Sequence, residues 1–163
     1  MIYSNTADSP ITNDTNDIIL DNFLIFEWKA SFMKFRPEGI KFSWLWVLYY
    51  FWFLFDKNYE GLLLFDINKK LVHSLFLIPN YFRFPFMEKN SLQVSNVWTS
   101  KECRNTGVAT AALKFIIKKK NSKKIWFLCR EDNLASARIA EKAGLTYKRL
   151  CVKKYIWFFS FYQ

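Results

Sequence analysis

Residues 91–129 read SLQVSNVWTSKECRNTGVATAALKFIIKKKNSKKIWFLC. Leu92, Val94, Val97 and Trp98 give the segment Ser91–Thr99 strand character. Val108, Ala112 and Phe115, with Ala109, Leu113 and Ile116 beside them, form an apolar stripe at helical spacing over 107–119. Lys118, Lys119 and Lys120 suit the negative end of that helix. Ile125-Trp-Phe-Leu-Cys129 is short, wholly apolar and bounded by lysines and Arg130, the pattern of a strand buried on both faces. Strand, helix and strand in this order predict a parallel pair joined by a right-handed crossover.

Working outward, Gly61–Asp66 and Leu71–Ile78 flank Ile67-Asn-Lys-Lys70 and read as a β-hairpin, and Pro79 and Pro85 bracket a loop. The hairpin makes the sheet mixed, so the class is α/β or α+β. Asn133 can cap a helix over Leu134–Ala143, and Gly144 sits where a left-handed cap belongs. Tyr147–Cys151 and Tyr155–Phe161 read as two closing strands. The apolar segment Ile18–Phe55 holds one or two helices and a first strand. Residues 4–17 are polar, turn-prone and without periodicity, so 1–17 is expected to be a flexible tail and 18–163 a single domain.

Composition narrows the classes. The chain has 163 residues, 52% of them hydrophobic and 20% aromatic, which excludes a disordered chain and leaves aromatics over for an interface or pocket wall. The formal net charge is +10; the first 17 residues carry three aspartates and no cation, so the remainder carries +13. A basic body expects a polyanionic partner: a phosphorylated cofactor or substrate, a nucleic acid, or an anionic membrane surface. Cys103, Cys129 and Cys151 are odd in number and lack CxxC spacing, which argues against a disulfide framework or a metal site and for a reducing cytoplasm. Neither a secretory signal nor a membrane-spanning segment is expected. Phe42–Phe55, though almost wholly apolar, has only 14 residues against the ~20 a spanning helix needs.

The chemistry starts at Arg104-Asn-Thr-Gly-Val-Ala109, between strand and helix. Backbone N–H groups at a helix start lack intrahelical partners and the macrodipole is positive there. A glycine and a small alanine let a pyrophosphate come close. The turn is neither a Walker loop nor a GxGxxG turn.

Val97–Thr110 resembles motif A of the GNAT acyl-CoA N-acetyltransferases, (R/Q)xxGx(G/A) after a strand. Trp126–Leu145 resembles their motif B, a strand followed by Asn133-x-x-Ser136 and Glu141-Lys-Ala-Gly-Leu145. Both lie in family order and spacing, across about residues 91–150. A weaker likeness links Val72–Ser74, Phe84–Met87 and Val97–Thr99 to members from bacterial surface-polysaccharide clusters. The resemblance implies a mixed, mostly antiparallel sheet with a splayed parallel βαβ core flanked by helices, and acetyl-CoA as cofactor. It implies that the backbone of Arg104, Asn105, Thr106, Gly107, Val108, Ala109 and Thr110 binds the CoA pyrophosphate. The pantetheine would then lie near Val97 and Thr99, touched by Asn133, with Ser136 in the same motif.

The chain departs from the family at one position: Ala140 stands where many members carry a tyrosine, seven residues after the motif B Asn, as acid to the leaving thiolate. Either another acid serves, with Tyr147 and Tyr155 as the candidates, or solvent protonates the thiolate. His73, the only histidine, is the first candidate for the base that deprotonates the amine, and Glu131 and Asp132 come second. The lysines at 118, 119, 120, 123 and 124 form the densest basic cluster, a solvated helix end or an attractor of anionic ligands. The expected acceptor is a small amine, with a nucleotide-linked amino sugar as the specific expectation and a protein N-terminus as the alternative. A nucleic-acid or membrane-surface binding role has less support, because the aromatics lie in apolar runs and not between Lys and Arg. Phe42–Phe55 and Tyr155–Tyr162 are the stretches expected to form a homodimer interface.

Overall fold

The expected strand–helix–strand unit lies inside a seven-stranded sheet. The computed structural model describes residues 1–5, 16–29, 59–80, 84–156 and 159–162. In chain order the strands are β1 (Ile2–Ser4), β2 (Leu24–Lys29), β3 (Glu60–Phe65), β4 (Leu71–Pro79), β5 (Leu92–Thr99), β6 (Ile125–Leu128), β7 (Thr146–Arg149), β8 (Lys153–Ile156) and β9 (Phe159–Tyr162). The helices are α1 (Asn16–Asp21), α2 (Val108–Lys119) and α3 (Leu134–Lys142). The sheet order is β2-β3-β4-β5-β6-β1-β7. Among the described strands of this sheet only β5 and β6 run parallel; every other neighbouring pair is antiparallel. This is the mixed, mostly antiparallel architecture the sequence led us to expect.

Local chemistry accounts for the boundaries. The β3–β4 hairpin turns at Asp66, whose side chain accepts the N–H groups of Asn68 (2.9 Å) and Lys70 (2.8 Å). Helix α3 starts at Asn133, whose side chain accepts the Ser136 N–H at 3.1 Å. It ends in a Schellman turn: Leu145 N–H donates to Ala140 O (3.0 Å), and Gly144 N–H to Glu141 O (2.9 Å) with Gly144 at φ +89°.

The apolar residues divide between the two faces of the sheet. Leu62, Leu64, Leu75, Leu77, Leu92 and Val94 join the cluster packed under α2 and α3. On the opposite face Leu63, Phe76 and Ile78 pack with Trp28 and Tyr59, and a separate cluster gathers Ile2, Phe84, Met87 and Trp126. The lysines near the end of α2 are stitched to the sheet: Lys119 pairs with Glu27, and Lys120 sits 2.6 Å from Glu60. Lys124 lies 2.6 Å from Glu88. Most of the basic cluster therefore anchors a helix end and a strand start and does not stand free to attract anions.

Two expectations need correction. The N-terminal tail does not begin at residue 1: Ile2–Ser4 inserts between β6 and β7, with Ile2 wholly buried and Tyr3 2% exposed. Three residues are too few to show a period, and the pairing partners lie more than 120 residues away. Ile2→Ala should therefore destabilise the domain by about 2–5 kcal/mol, where a tail residue would change nothing; urea denaturation reads the difference. Secondly, Tyr155–Phe161 is not one closing strand, since β8 and β9 pair antiparallel as a hairpin in their own sheet. The helix and strand expected at the start of Ile18–Phe55 are α1 and β2, and residues 30–58 lie outside the described residues. Phe42–Phe55 and residues 6–15 lie outside the described residues, as do the side chains of Tyr155–Tyr162.

Candidate active site

The site opens where the parallel pair parts. β5 and β6 are paired at Leu92–Ile125, Gln93–Trp126 and Val94–Phe127 only, and β5 runs on unaccompanied on that side to Thr99. On its other side β5 keeps β4, but one extra residue intervenes: Phe76 faces Ser95 while Ser74 faces Trp98. Asn96 takes up the bulge in the left-handed region at φ +49°. Among the described residues the backbone of Ser95–Thr99 is thereby left without a strand neighbour on the β6 side, and Val97 and Thr99 border the opening.

Beyond Thr99 the chain tightens into a turn that exposes backbone donors. Ser100 N–H is fixed to Val72 O (2.8 Å), Cys103 N–H to Ser100 O (3.1 Å), and the Thr106 hydroxyl donates to Cys103 O (2.8 Å). Asn105 (φ +63°) and Gly107 (φ +88°) both adopt left-handed backbone, which folds the loop back onto the helix start. The first helical bond is Ala111 N–H to Gly107 O (2.9 Å), so the N–H groups of Val108, Ala109 and Thr110 have no intrahelical acceptor. No acidic residue lies in the first turn of α2. A side chain at Gly107 would be strained by its φ and would bring Cβ to 3.3 Å from Ile19 Cδ1 of α1. Arg104 folds back, its Nε donating to Thr99 O at 3.3 Å. Left-handed backbone, unpaired helix-start N–H groups and a residue without a side chain are features that suit a phosphate-bearing ligand.

At the other lip, α3 follows β6 directly, which places Asn133 and Ser136 at the same end of the parallel pair. Asn133 Oδ1 is committed to the cap on Ser136, and its amide N–H2 is the part that remains for a ligand. The Arg104–Thr110 turn, the Val97–Thr99 edge and Asn133 thus lie at the same end of the parallel pair.

The expected proton-transfer residues fare differently. His73 is completely buried in β4, with Nδ1 2.9 Å from Thr99 Oγ1 and Nε2 lacking a partner. Burial pushes its pKa down to about 4. A group enclosed and neutral in this way cannot reach an incoming amine and is a poor base near neutrality, so the expectation of His73 as base is corrected. Tyr147 pairs with Tyr3 across β1–β7, ring centroids 5.7 Å apart. β7 lies two strands beyond β6, roughly 10 Å at the usual interstrand spacing. The unforeseen insertion of β1 separates the strand of Tyr147 from β6, which argues against Tyr147 as the acid. Tyr147→Phe should leave kcat within about twofold of the parent, because a group at that distance cannot serve in proton transfer; steady-state rates check this. Ala140 is wholly buried in the core under α3, where a tyrosine ring has no room. Asp132 is occupied by Arg130 through two bonds of 3.0 and 2.7 Å. Glu131 stays exposed where β6 ends.

Two features of the site escaped the sequence reading. The bulge at Asn96 was signalled only by an Asn, the residue type most tolerant of left-handed backbone, inside an apolar strand. The insertion of β1 beside β6 gave no signal, because its three residues pair with partners more than 120 residues away.

Comparison with known proteins agrees with this geometry. The chain is similar in structure to the aminoglycoside antibiotic 6′-N-acetyltransferase AAC(6′)-Ih from Acinetobacter baumannii, at 12% identity and TM-score 0.54, over 81% of this chain and 99% of that one. It is similar to spermidine N-acetyltransferase from Vibrio cholerae, solved in complex with CoA and spermine, at 15% identity and TM-score 0.55, over 81% and 86% of the two chains. A third likeness is to a predicted acetyltransferase from Clostridium acetobutylicum solved with acetyl-CoA, at 14% identity and TM-score 0.53, over 77% and 92%. At these identities the likeness is one of fold. No curated protein matches the sequence itself. The family model described as Acetyltransferase (GNAT) family matches residues 25–145, a span that holds the parted strands, the Gly107 turn and the Asn133 cap, and the chain belongs to that family.

Proposed function

We propose that the chain transfers the acetyl group of acetyl-CoA to the primary amine of a small acceptor. The observation that carries this reading is the juxtaposition, at one end of the parallel pair, of the Arg104–Thr110 donors, the unaccompanied backbone of Ser95–Thr99 and the Asn133 cap. The fit to acetyl-CoA rests on chemistry: unbonded N–H groups and a side-chain-free Gly107 suit a pyrophosphate, and a strand edge with free amide groups suits the amide-rich pantetheine arm. Bound acetyl-CoA supplies a thioester carbonyl for the amine to attack; the C–N bond forms, the C–S bond breaks and the sulfur leaves as thiolate. The turn residues hold the diphosphate by backbone N–H groups and Arg104. Val97 and Thr99 align the arm, and Asn133 fixes its far side. Neither His73 nor Tyr147 takes part in proton transfer in this reading. The amine's proton leaves through water at the open end, where Glu131 is exposed, and solvent protonates the thiolate.

The basic balance of the chain, +10 overall, favours an acceptor that itself carries phosphate, such as a nucleotide-linked amino sugar of surface-polysaccharide synthesis, over a polycation. The free thiols of Cys103, Cys129 and Cys151 suit a reducing cytoplasm. Among the described residues no helix is long and apolar enough to cross a membrane. Release of CoA thiol from acetyl-CoA, followed colorimetrically across a panel of primary amines, tests the reading. Amine-dependent thiol release is expected, and release indifferent to every amine would contradict it.

A further inference from the structure

β4 sets a polar side chain into an apolar row. Leu75 and Leu77 belong to the cluster under α2 and α3, and strand alternation puts His73 on the same face. The imidazole is 0% exposed there and makes one hydrogen bond only. Nδ1 lies 2.9 Å from Thr99 Oγ1, directly across the β4–β5 register, while Nε2 has no partner. A leucine would fill that place without leaving a buried polar atom bare, so the histidine needs another reason.

The bare Nε2 fixes the tautomer. A buried N–H without an acceptor is rarer than an unused lone pair, so the single proton of the neutral ring belongs on Nδ1. Nδ1–H then donates to Thr99 Oγ1 and leaves the hydroxyl proton of Thr99 uncommitted. In the other tautomer that proton would be held by Nδ1. Among the described residues Thr99 Oγ1 has no second partner, and the residue is only partly buried. Thr99 also stands at a joint. The unaccompanied edge of β5 ends at it, and its carbonyl accepts Arg104 Nε from the turn that leads to the bare N–H groups of Val108–Thr110.

The structure assigns His73 a positioning role: it holds Thr99 so that the threonine hydroxyl donates to an oxygen of acetyl-CoA where the pantetheine arm meets the diphosphate. The inference rests on the acetyl-CoA reading of this site and adds one side-chain donor to its backbone donors. No proton is transferred, and His73 itself does not touch the cofactor.

The chain has one histidine, so a tag-free sample gives a single imidazole in a long-range 1H–15N spectrum, and its protonated nitrogen should be Nδ1 at neutral pH. Calorimetric titration with acetyl-CoA, with circular dichroism as the check on folding, tests the consequence. Thr99→Val should weaken binding about five- to tenfold, and Thr99→Ser, which keeps the hydroxyl, should stay within about twofold of the parent. His73→Leu should weaken it about threefold, because water then holds the hydroxyl less firmly. His73→Asn, which keeps an N–H near the Nδ1 position, should restore the loss. The double variant His73→Leu/Thr99→Val should bind as Thr99→Val does, since the histidine acts only through the hydroxyl. Free CoA should show the same losses, because the acetyl group is not involved. A proton on Nε2, parent-like affinity in Thr99→Val or additive losses in the double variant would overturn the proposal. A parent that does not bind acetyl-CoA would overturn the cofactor reading beneath it as well, and the same titration tells the two failures apart.

Discussion

Gly107→Asp should weaken acetyl-CoA binding by about 100-fold or more while leaving the domain folded. Position 107 lies at the mouth of α2 with φ +88° and a neighbour, Ile19 Cδ1, 3.3 Å from where a Cβ would stand. Asp is among the residues most tolerant of left-handed backbone, so the backbone strain stays within a few kcal/mol. The larger effect is electrostatic. A carboxylate would stand among the N–H groups that hold the diphosphate, and two unit charges about 5 Å apart at a protein surface repel by about 3 kcal/mol. The measurement is the acetyl-CoA dissociation constant by calorimetry, with circular dichroism as the check on folding. A folded variant that binds acetyl-CoA like the parent would place the diphosphate somewhere else.

The second large effect concerns His73 and acid. The imidazole is wholly buried and its folded pKa, lowered by that burial, is about 4 against 6.5 in the unfolded chain. The unfolded state therefore binds a proton that the folded state refuses, and stability falls as pH drops from 6.5 towards 4. At about 1.4 kcal/mol per unit, this one group removes about 3 kcal/mol across that window. Below the window other groups take over. Hydrogen bonds from Lys124 and Trp126 outweigh burial and hold Glu88 below its ordinary value, so its contribution is lost only at pH below about 4.5. Urea titrations at pH 7 and pH 4.5 should show His73→Leu losing markedly less stability than the parent over that interval. Thr99 is only partly buried and can turn its hydroxyl to water in the variant. Equal losses in the two proteins would mean that His73 titrates normally, as an exposed base would.

What the sequence disclosed was whatever depends on near neighbours. Apolar spacing and flanking lysines marked β5, α2 and β6, Ile67–Lys70 marked the hairpin turn, and Asn133 and Gly144 marked both ends of α3. The left-handed Gly107 turn at the start of α2 was legible for the same reason, since a helix start is built from consecutive residues. What stayed hidden depends on contacts distant in the chain. Nothing in Ile2-Tyr-Ser4 announces a strand between β6 and β7, and that strand is why Tyr147 stands too far from the opening to act. His73 looked like a base because it is the only histidine on a strand near the sheet centre; its burial beneath the Thr99 end of β5 follows from packing alone.

The central claim is that the Arg104–Thr110 turn and the parted strands hold acetyl-CoA. The melting temperature with and without a large excess of acetyl-CoA, with free CoA beside it, tests this most directly. Ligand at about 100 times its Kd adds about 2.7 kcal/mol to the folded state, or roughly 5–10 °C for a domain of this size. The account predicts a rise of that order with acetyl-CoA and a comparable one with CoA, both abolished in Gly107→Asp. An unchanged melting temperature at millimolar acetyl-CoA would contradict it.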